Sequence, residues 1–264
     1  FHLFPSFYFS IFVSRNKTII HEHNTDNRRR KIKWLKYVER YIYHRAKNVI
    51  CISDAVKDSL SNWVGASNKF VVVPNFSRFD YKKTNKEIDG KKINILMVAS
   101  FSKQKRHKNL IAALKYLPDN YFVHFLGDGP LLDGMIKYAK EISVSRNVIF
   151  HGESDNVSHY YNMADICVLL SNWEGFGMVV VEAASHNKVT IASKVMGLSE
   201  VIGNESFLIS NDIDSKTLAQ KITLTINAIT ERPDIYDDYC KFIAERYSFS
   251  SFSEQLNSVY ENMI

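Results

Sequence analysis

Cysteine is scarce in this sequence. The three cysteines, Cys51, Cys167 and Cys240, are odd in number, far apart in the chain and free of any C-x-x-C pairing. This spacing excludes a disulfide framework and a zinc site built from thiolates. So few cysteines are typical of a reducing compartment, and we therefore expect a cytoplasmic location.

A long apolar run is also missing. The most apolar segment, residues 1–13, is interrupted by His2 and Pro5, whereas a helix that crosses a bilayer needs about 20 apolar residues. The segment lacks the charged beginning and the small-residue cleavage site of a secretory signal peptide, so secretion is not expected. The sequence opens with Phe1 rather than Met, which predicts a piece of a longer chain.

Neither charge sign dominates the composition. The 34 lysines and arginines outnumber the 28 aspartates and glutamates, which gives a formal net charge of +6. Of the 264 residues, 45% are hydrophobic and 23% are charged. These values are typical of globular proteins and exclude the apolar-poor composition of disordered chains. The length allows one large domain or two small ones.

Short β-rich runs alternate with segments at helical spacing from Thr18 onward, which is typical of parallel sheets with crossover helices. The series stops in a polar segment without periodicity and then begins again at Ile93. We therefore predict an α/β fold with a partial first Rossmann-like domain at 1–76, a linker at 77–92, a complete Rossmann-like domain at 93–246 and a terminal segment at 247–264.

The densest cluster of unusual residues is SNWEGFGMVVVEA, residues 171–183, where a predicted strand is followed by a predicted helix. Open α/β folds bind ligands at this end of their strands. Gly175 and Gly177 remove side chains from the turn, so backbone N–H groups can approach an anion or sugar hydroxyls. Glu174 and Glu182 have the spacing E-x7-E, and a carboxylate can accept hydrogen bonds from two vicinal hydroxyls. A purely structural turn with two solvent-facing glutamates is the alternative.

Two other segments also follow predicted strands. GDGP, which starts at Gly127, opens a helix with Pro130 near its first position, and a plain tight turn explains it equally well. The loop SKQKRHK contains Lys105 among several cations. A diphosphate bound over the sheet edge would need such a cation, although a solvated basic loop would have the same composition.

His21 and His23 follow each other at the end of the first predicted strand, and their spacing places both side chains on one side of an extended chain. No cysteine or carboxylate cluster accompanies them, so a single histidine at the wall of a cleft is favoured over a metal pair.

A basic amphipathic helix is predicted at 28–46. Its apolar face would carry Ile32, Leu35, Val38 and Ile42. Its basic face, with Trp34 and Tyr37 nearby, is compatible with anionic lipid, with nucleic acid or with plain solvation. The cations of this face are Arg28, Arg29, Arg30, Lys31, Lys33, Lys36 and Arg40.

The order of these motifs resembles the retaining, nucleotide-sugar-dependent glycosyltransferases of family 4, which have the GT-B architecture of two facing Rossmann-like domains. The resemblance covers the chain from about His21 to the end. It rests on IIHEHNT, VICIS, VVVPNF, VASFSKQKRHKNL, FLGDGP, VIFHG, ADICVLLSNWEGFGMVVVEAA and GLSEVI.

The resemblance implies roles for individual residues. Glu174 would lie near the donor sugar, Glu182 would accept hydrogen bonds from the ribose hydroxyls, and Lys105 would bind the diphosphate. His23 would line the reaction centre, with His21 as the alternative. The terminal segment would form a helix that crosses back to the first domain. Further donor contacts would come from Gly127, Phe176, Gly177 and Met178.

Three features depart from the family pattern. Ser100 stands where an arginine usually precedes the phosphate-binding lysine, so Arg106 or Lys103 would have to supply that contact. Asn187 and Val189 replace a glycine and a proline after the second glutamate, and Asn tolerates the left-handed conformation that a helix end requires. No glycine-rich loop accompanies the first strand, which implies an amino-terminally truncated first domain.

The resemblance implies transfer of a sugar from a nucleoside diphosphate sugar to a hydroxyl acceptor, with retention and without a metal or cofactor. We expect a role in bacterial surface polysaccharide synthesis, such as O-antigen or capsule, with a lipid-linked glycan acceptor at the inner face of the membrane. The alternatives are an inactive nucleotide-sugar-binding module and a glycoside hydrolase that uses Glu174 and Glu182. A nucleic-acid partner is not expected, because only the basic helix would support it.

Overall fold

The computed structural model describes residues 18–25, 28–83 and 88–261, without the side chains of Arg28 and Arg29. The expectations for residues 1–13 lie outside this part of the chain. The strands are β1 (Ile19–Glu22), β2 (Asn48–Cys51), β3 (Phe70–Val72), β4 (Ile93–Val98), β5 (Tyr121–Leu126), β6 (Val148–Phe150), β7 (Ile166–Leu169), β8 (Thr190–Ser193) and β9 (Leu208–Ile209).

The strands form two parallel sheets, a three-stranded one in the order β1-β2-β3 and a six-stranded one in the order β6-β5-β4-β7-β8-β9. The helices are α1 (Leu35–Arg45), α2 (Asp54–Val64), α3 (His107–Ala113), α4 (Leu132–Glu141), α5 (Val157–Met163), α6 (Met178–Ser185), α7 (Met196–Ile202), α8 (Ser215–Glu231), α9 (Pro233–Arg246) and α10 (Phe249–Glu261). The α/β class with a larger second unit is confirmed.

The six-stranded sheet is buried on both faces. Every residue of β7 and β8 is buried, as are the first five residues of β4. Near-continuous apolar runs are what a parallel sheet covered by helices requires, and they explain why the second series of strands was recognisable in the sequence. The central strands β4 and β7 lie side by side, which brings the loops after them to one edge of the sheet.

The basic helix is shorter than predicted. A 3₁₀ turn occupies Arg28–Lys31, and the α-helix begins only at Leu35. Leu35 and Ile42 are buried as expected, but Ile32 lies before the helix and is 46% exposed. The prediction was wrong at this end because the spacing of apolar residues continues through a segment whose backbone is not α-helical.

Two other boundaries differ from the sequence analysis. Helix α4 begins at Leu132, so Pro130 lies in the preceding turn and not at the first helical position. Helix α7 was not predicted from the sequence. Since β8 and β9 are parallel neighbours, a crossover between them is required, and α7 supplies it.

One buried apolar cluster continues from the first sheet into the second unit. It contains Val49 and Ile52 from the first unit together with Phe176 and Val201 from the second. Hydrogen bonds reinforce this contact: the Ser53 hydroxyl donates to the Gly175 carbonyl oxygen at 2.6 Å. The small first sheet is therefore stabilised by packing on the second unit.

The segment predicted as a linker is ordered on the second unit where the structure describes it. The Ser77 amide donates to the Tyr247 carbonyl at 3.0 Å, and the Lys82 amide donates to the Ser185 carbonyl at 2.8 Å. Phe76 packs against Phe249 and Phe252 of α10, with ring centroids 5.2 and 4.7 Å away. Residues 77–83 thus run along the second unit, and α10 begins against the end of the first.

The end of α6 shows how the sequence tolerates the loss of a glycine. Asn187 has φ of 58°, in the left-handed region that was expected of it. Its side chain donates to the Asp237 carboxylate at 2.6 Å and accepts from the Tyr81 hydroxyl at 3.2 Å. The turn therefore survives the replacement of the glycine.

Candidate active site

A cavity of about 360 Å³ opens between the two units. It lies at the carboxyl ends of β1, β3, β4 and β7, which is where parallel sheets bind ligands. Its lining combines apolar, amide and charged groups, namely His23, Asn24, Thr25, Ile52, Asn75, Gln104, Lys105, Leu169, Trp173, Glu174, Gly175, Phe176, Gly177, Met178 and Val179.

The loop after β7 forms one wall of the cavity and leads into helix α6. Gly177 has φ of 90° and caps the helix, a conformation that a side chain would strain. The first amides of an α-helix have no acceptor within the helix. Because Met178 and Val179 line the cavity, the positive end of α6 faces this space, as anion binding requires.

Lys105 and Glu174 meet in this cavity. The Lys105 ammonium forms an ion pair with the Glu174 carboxylate, which also accepts a hydrogen bond from the Ser171 hydroxyl at 2.9 Å. The two loops are held together along their backbones, since Lys105 pairs with Ser171 in an antiparallel bridge and the Asn172 amide donates to the Gln104 carbonyl at 2.9 Å. The structure therefore brings the two predicted residues into direct contact.

Burial changes the acidity of this lysine. The Lys105 side chain is only 14% exposed, and its desolvation lowers the pKa to about 8. A largely buried cation whose neighbour is a single carboxylate can gain more from a ligand that carries two negative charges. An anionic ligand in the cavity would therefore compete with Glu174 for this cation.

The other predicted cations of this loop lie elsewhere. Neither Lys103 nor Arg106 lines the cavity. Lys103 is exposed to solvent, while burial lowers the pKa of Arg106, which faces Asp212. The structure therefore does not place either of them beside Lys105 at the cavity wall.

Glu182 lies on α6 but outside the cavity lining. Its Oε2 atom accepts a hydrogen bond from the Tyr161 hydroxyl at 3.1 Å, and its Oε1 atom is 4.0 Å from Nε of Arg78. Burial raises the pKa of Glu182, against the hydrogen bond from Tyr161 and the charge of Arg78. The two glutamates of E-x7-E thus have different surroundings, and only Glu174 faces the cavity.

His23 follows β1 directly and lines the cavity from the side of the first unit. The buried Glu22 holds this strand end, because its carboxylate accepts from the Tyr43 hydroxyl and, at 3.1 Å, from the Asn24 amide. The His21 and His23 rings are 6.4 Å apart, on one side of the chain as expected. Among the described residues, no group of three or more potential ligands could hold a metal ion.

Gly127 is required by the packing of the chain itself. A Cβ at this position would lie 2.3 Å from the Ala99 carbonyl oxygen, and its φ of 140° disfavours a side chain. Its amide donates to the Gly152 carbonyl at 2.7 Å. Gly127 therefore permits the close approach of the loops after β4 and β5, and it does not line the cavity.

Several polar groups of the cavity were not singled out from the sequence. Asn24, Thr25 and Asn75 occupy the wall of the first unit, while Gln104 and Trp173 lie at the opposite wall. The Gln104 side chain donates to the Trp173 carbonyl at 2.6 Å. The signal for the first three was their position directly after strands, but nothing in the sequence distinguished them from ordinary loop residues.

The cysteines take no part in this site. All three are free and buried in the described structure, and burial raises the pKa of Cys51 to about 12. They are therefore neutral packing residues, in agreement with the absence of a disulfide framework.

The surface of α1 combines exposed aromatic and basic side chains. Trp34, Tyr37 and Tyr41 are 64%, 76% and 56% exposed, respectively, and Lys33 and Arg40 are exposed beside them. We call these five residues the aromatic-basic surface.

Two predicted cations of the basic helix are engaged elsewhere. The Arg30 guanidinium contacts the Thr25 carbonyl and the Ser59 hydroxyl. Lys36 lies over the Trp63 ring at 5.8 Å from its centroid. These two cations therefore have contacts within the first unit, whereas Lys33 and Arg40 are exposed.

Comparison with known proteins agrees with this architecture. The family model described as glycosyl transferases group 1 matches residues 79–238, and that of glycosyltransferase family 4 matches residues 1–77. The first match alone covers more than half of the chain. The chain therefore belongs to the glycosyl transferases group 1 family, as the sequence resemblance implied.

Two curated relatives show the extent of the similarity. The uncharacterized glycosyltransferase MJ1178 of Methanocaldococcus jannaschii is 28% identical over 233 residues, which are 86% of this chain and 63% of that protein. The UDP-Gal:alpha-D-GlcNAc-diphosphoundecaprenol alpha-1,3-galactosyltransferase of Escherichia coli is 27% identical over 192 residues, 65% of this chain and 47% of that enzyme. The chain thus spans less than two thirds of the length of either relative.

A solved structure confirms the fold. The Anabaena protein HepE, crystallised in complex with UDP-glucose, superposes with a TM-score of 0.82 at 21% identity, over 96% of this chain and 75% of that one. The fold is GT-B, with a complete carboxy-terminal Rossmann-like unit and a partial amino-terminal one.

Proposed function

We propose that this chain carries the donor site of an enzyme that transfers a sugar from a nucleoside diphosphate sugar to a hydroxyl group, with retention at the anomeric carbon. The observation that supports this most directly is the Lys105–Glu174 pair beside the glycine turn of α6, at the carboxyl ends of β4 and β7. One cation and a helix amino terminus face the same space, which suits a diphosphate.

The chemistry would depend on charge stabilisation. The bond between the anomeric carbon and the diphosphate oxygen breaks, and the bond to the acceptor oxygen forms on the same face. Lys105 and the amides of Met178 and Val179 would stabilise the negative charge that develops on the departing diphosphate. That phosphate oxygen takes the acceptor proton, so neither a metal nor a protein base is required, and His23 and Glu174 would orient the sugar.

The donor site is tested by calorimetric titration with UDP and GDP. We expect one of them to bind, and Glu182→Ala to weaken that binding by about ten- to 100-fold, because hydrogen bonds to a carboxylate are worth roughly 1.5–3 kcal/mol. The matched control is Glu231→Ala, which removes an exposed glutamate at the end of α8 and should leave the affinity unchanged.

If neither nucleotide binds to the folded protein, the proposed donor site is contradicted for these two nucleotides. If a nucleotide binds but no product forms with any acceptor, the binding-module alternative replaces the enzyme. Sugar release without nucleotide would instead favour a hydrolase. The structure disfavours that alternative, because Glu174 lines the cavity and Glu182 does not.

The acceptor is proposed to be a lipid-linked glycan of a bacterial surface polysaccharide. The E. coli relative is named for a diphosphoundecaprenol acceptor, and this supports the proposal without establishing it for this chain. Within the described ranges, no helix has both the length and the apolar content that crossing a bilayer requires. We propose that the aromatic-basic surface of α1 binds the anionic inner face of the membrane, where such an acceptor would be presented.

This contact predicts co-sedimentation with vesicles of phosphatidylglycerol and phosphatidylcholine at low salt, and release at high salt. The double variant Lys33→Glu and Arg40→Glu is expected to reduce binding at least about tenfold, since each basic residue near an anionic surface contributes about 1 kcal/mol. The control Lys115→Glu and Lys140→Glu makes the same charge change on exposed residues of the second unit. Equal loss in both variants would show attraction by net charge alone and contradict the assigned surface.

A further inference from the structure

Tyr161 is a buried tyrosine whose hydroxyl donates a hydrogen bond to the Glu182 carboxylate. The ring is fully buried in the second unit, with an exposure of 0%. Its hydroxyl is 3.1 Å from Oε2 of Glu182 and 3.4 Å from the Val179 carbonyl oxygen. The hydroxyl has a single hydrogen to donate, and the Glu182 carboxylate is the nearer of the two acceptors.

The surroundings of Tyr161 hold its ring in one orientation. His186 stacks on it with ring centroids 5.0 Å apart and an interplanar angle of 24°. The His186 ring is itself held at both nitrogens, by the Glu182 carbonyl oxygen at 2.8 Å and the Ser158 hydroxyl at 2.7 Å. The hydroxyl of Tyr161 therefore points at Glu182 from a rigid support, as a group that positions another side chain must.

The other oxygen of Glu182 has a weaker contact. Oε1 lies 4.0 Å from Nε of Arg78, whose side chain is 59% exposed. A contact of this length to an exposed arginine restrains the carboxylate weakly. Glu182, whose side chain is 17% exposed, thus has one oxygen held by a buried donor and one oxygen beside an exposed arginine.

We propose that Tyr161 is a positioning residue that holds the Glu182 carboxylate in the orientation in which it accepts hydrogen bonds from the vicinal hydroxyls of the nucleotide ribose. The inference rests on the proposed function, because it requires a nucleotide at this site. Without the Tyr161 hydroxyl, Glu182 would turn among several rotamers, and binding would have to restrict them again.

The ionisation of the pair agrees with this role. Burial, followed by the charge of Glu182, raises the pKa of Tyr161 well above its usual value, so the hydroxyl remains a donor at neutral pH. Burial raises the pKa of Glu182, and the hydrogen bond from Tyr161 opposes that shift. The charged or titratable groups facing this pair are Arg78 from residues 77–83, His186 from the end of α6, and Cys167 from β7.

The test compares nucleotide affinities of Tyr161→Phe and wild type by calorimetry, with whichever of UDP and GDP binds and with its 2′-deoxy form. We expect Tyr161→Phe to weaken the ribonucleotide about two- to tenfold, because binding must then restrict a side chain that the hydroxyl no longer holds. The loss for the 2′-deoxynucleotide should be smaller. In a Glu182→Ala background, Tyr161→Phe should have no further effect, because the two residues act on one interaction.

The pH profile gives a second readout. Glu182 accepts from both hydroxyls only when it is ionised, so ribonucleotide affinity falls as pH falls through its raised pKa. We call this fall of affinity the acid limb. Since the hydrogen bond from Tyr161 opposes the rise of the Glu182 pKa, Tyr161→Phe should move the acid limb to higher pH. The ligand phosphate titrates identically with both proteins and cancels in this comparison. Tyr160→Phe is the matched control, because Tyr160 lies on the same helix and contacts His151 and His159.

The outcomes separate the inference from the proposed function. If wild type binds neither nucleotide, the proposed donor site and this inference both fail. If wild type binds and Glu182→Ala loses affinity while Tyr161→Phe retains it, only the inference is overturned. An equal loss for ribo- and deoxyribonucleotide, with an unchanged acid limb, would show a structural role in the core and would also overturn it.

Discussion

Replacement of Lys105 by Met is expected to weaken nucleoside diphosphate binding by about ten- to 100-fold and to lower kcat by about 100- to 1,000-fold. The larger effect on kcat follows because charge accumulates on the departing diphosphate as the reaction proceeds. Met keeps most of the unbranched apolar stem of the side chain but removes the ammonium that faces Glu174. Calorimetry with UDP and GDP, and release of nucleoside diphosphate from the donor in the presence of EDTA, measure the two effects.

Lys103→Met is the matched control, because Lys103 lies on the same loop, is exposed and does not line the cavity. It should change affinity less than about twofold, as is usual for a surface substitution. The corresponding nucleoside, which has no phosphate, should bind wild type and Lys105→Met equally. If Lys105→Met binds the diphosphate as tightly as wild type, Lys105 does not contact it and the assignment is wrong.

The pKa of Lys105 sets an alkaline limit to the binding of a nucleoside diphosphate. Burial lowers the pKa of Lys105 to about 8 in the free protein. A diphosphate favours the charged form and so raises this pKa in the complex. The contribution of Lys105 to affinity is therefore complete below about pH 8 and is lost as pH rises above it. In Lys105→Met this loss of affinity at alkaline pH should be absent.

Gly197→Ala is expected to lower the free energy of unfolding by about 1–3 kcal/mol, as overpacking usually does. A Cβ at this position would lie 2.6 Å from the Glu174 carbonyl oxygen and 2.7 Å from the Gly175 carbonyl carbon. Both are backbone atoms of the loop that carries Glu174, so the loop itself must move. We therefore expect nucleotide affinity to fall together with the midpoint of thermal unfolding.

Gly134→Ala controls for the glycine substitution. Gly134 lies in α4, and nothing lies within 4 Å of the position where its Cβ would be. Because alanine has the higher helix propensity, this variant should unfold at an equal or higher temperature than wild type. If Gly197→Ala unfolds at the same temperature and binds nucleotide as tightly as wild type, then α7 does not support the loop.

The alternation of strands and helices was readable from the sequence because parallel strands buried on both faces are continuously apolar. The same logic placed Lys105 and Glu174 after β4 and β7. The limits of the basic helix and the existence of α7 were not readable. The spacing of apolar residues does not report where a helix begins, and α7 has only seven residues and no side chain that caps it.

Local chemistry in the sequence by itself determined the fold class and the glycine turn before α6, and the resemblance to family 4 singled out the candidate donor residues. Only the tertiary structure decided how they meet. Lys105 and Glu174 are 69 positions apart and come into contact because the sheet places β4 beside β7. Likewise, Tyr161 reaches Glu182 from another helix. Strand order and helix packing depend on how the whole core fills space, and no local pattern contains that information.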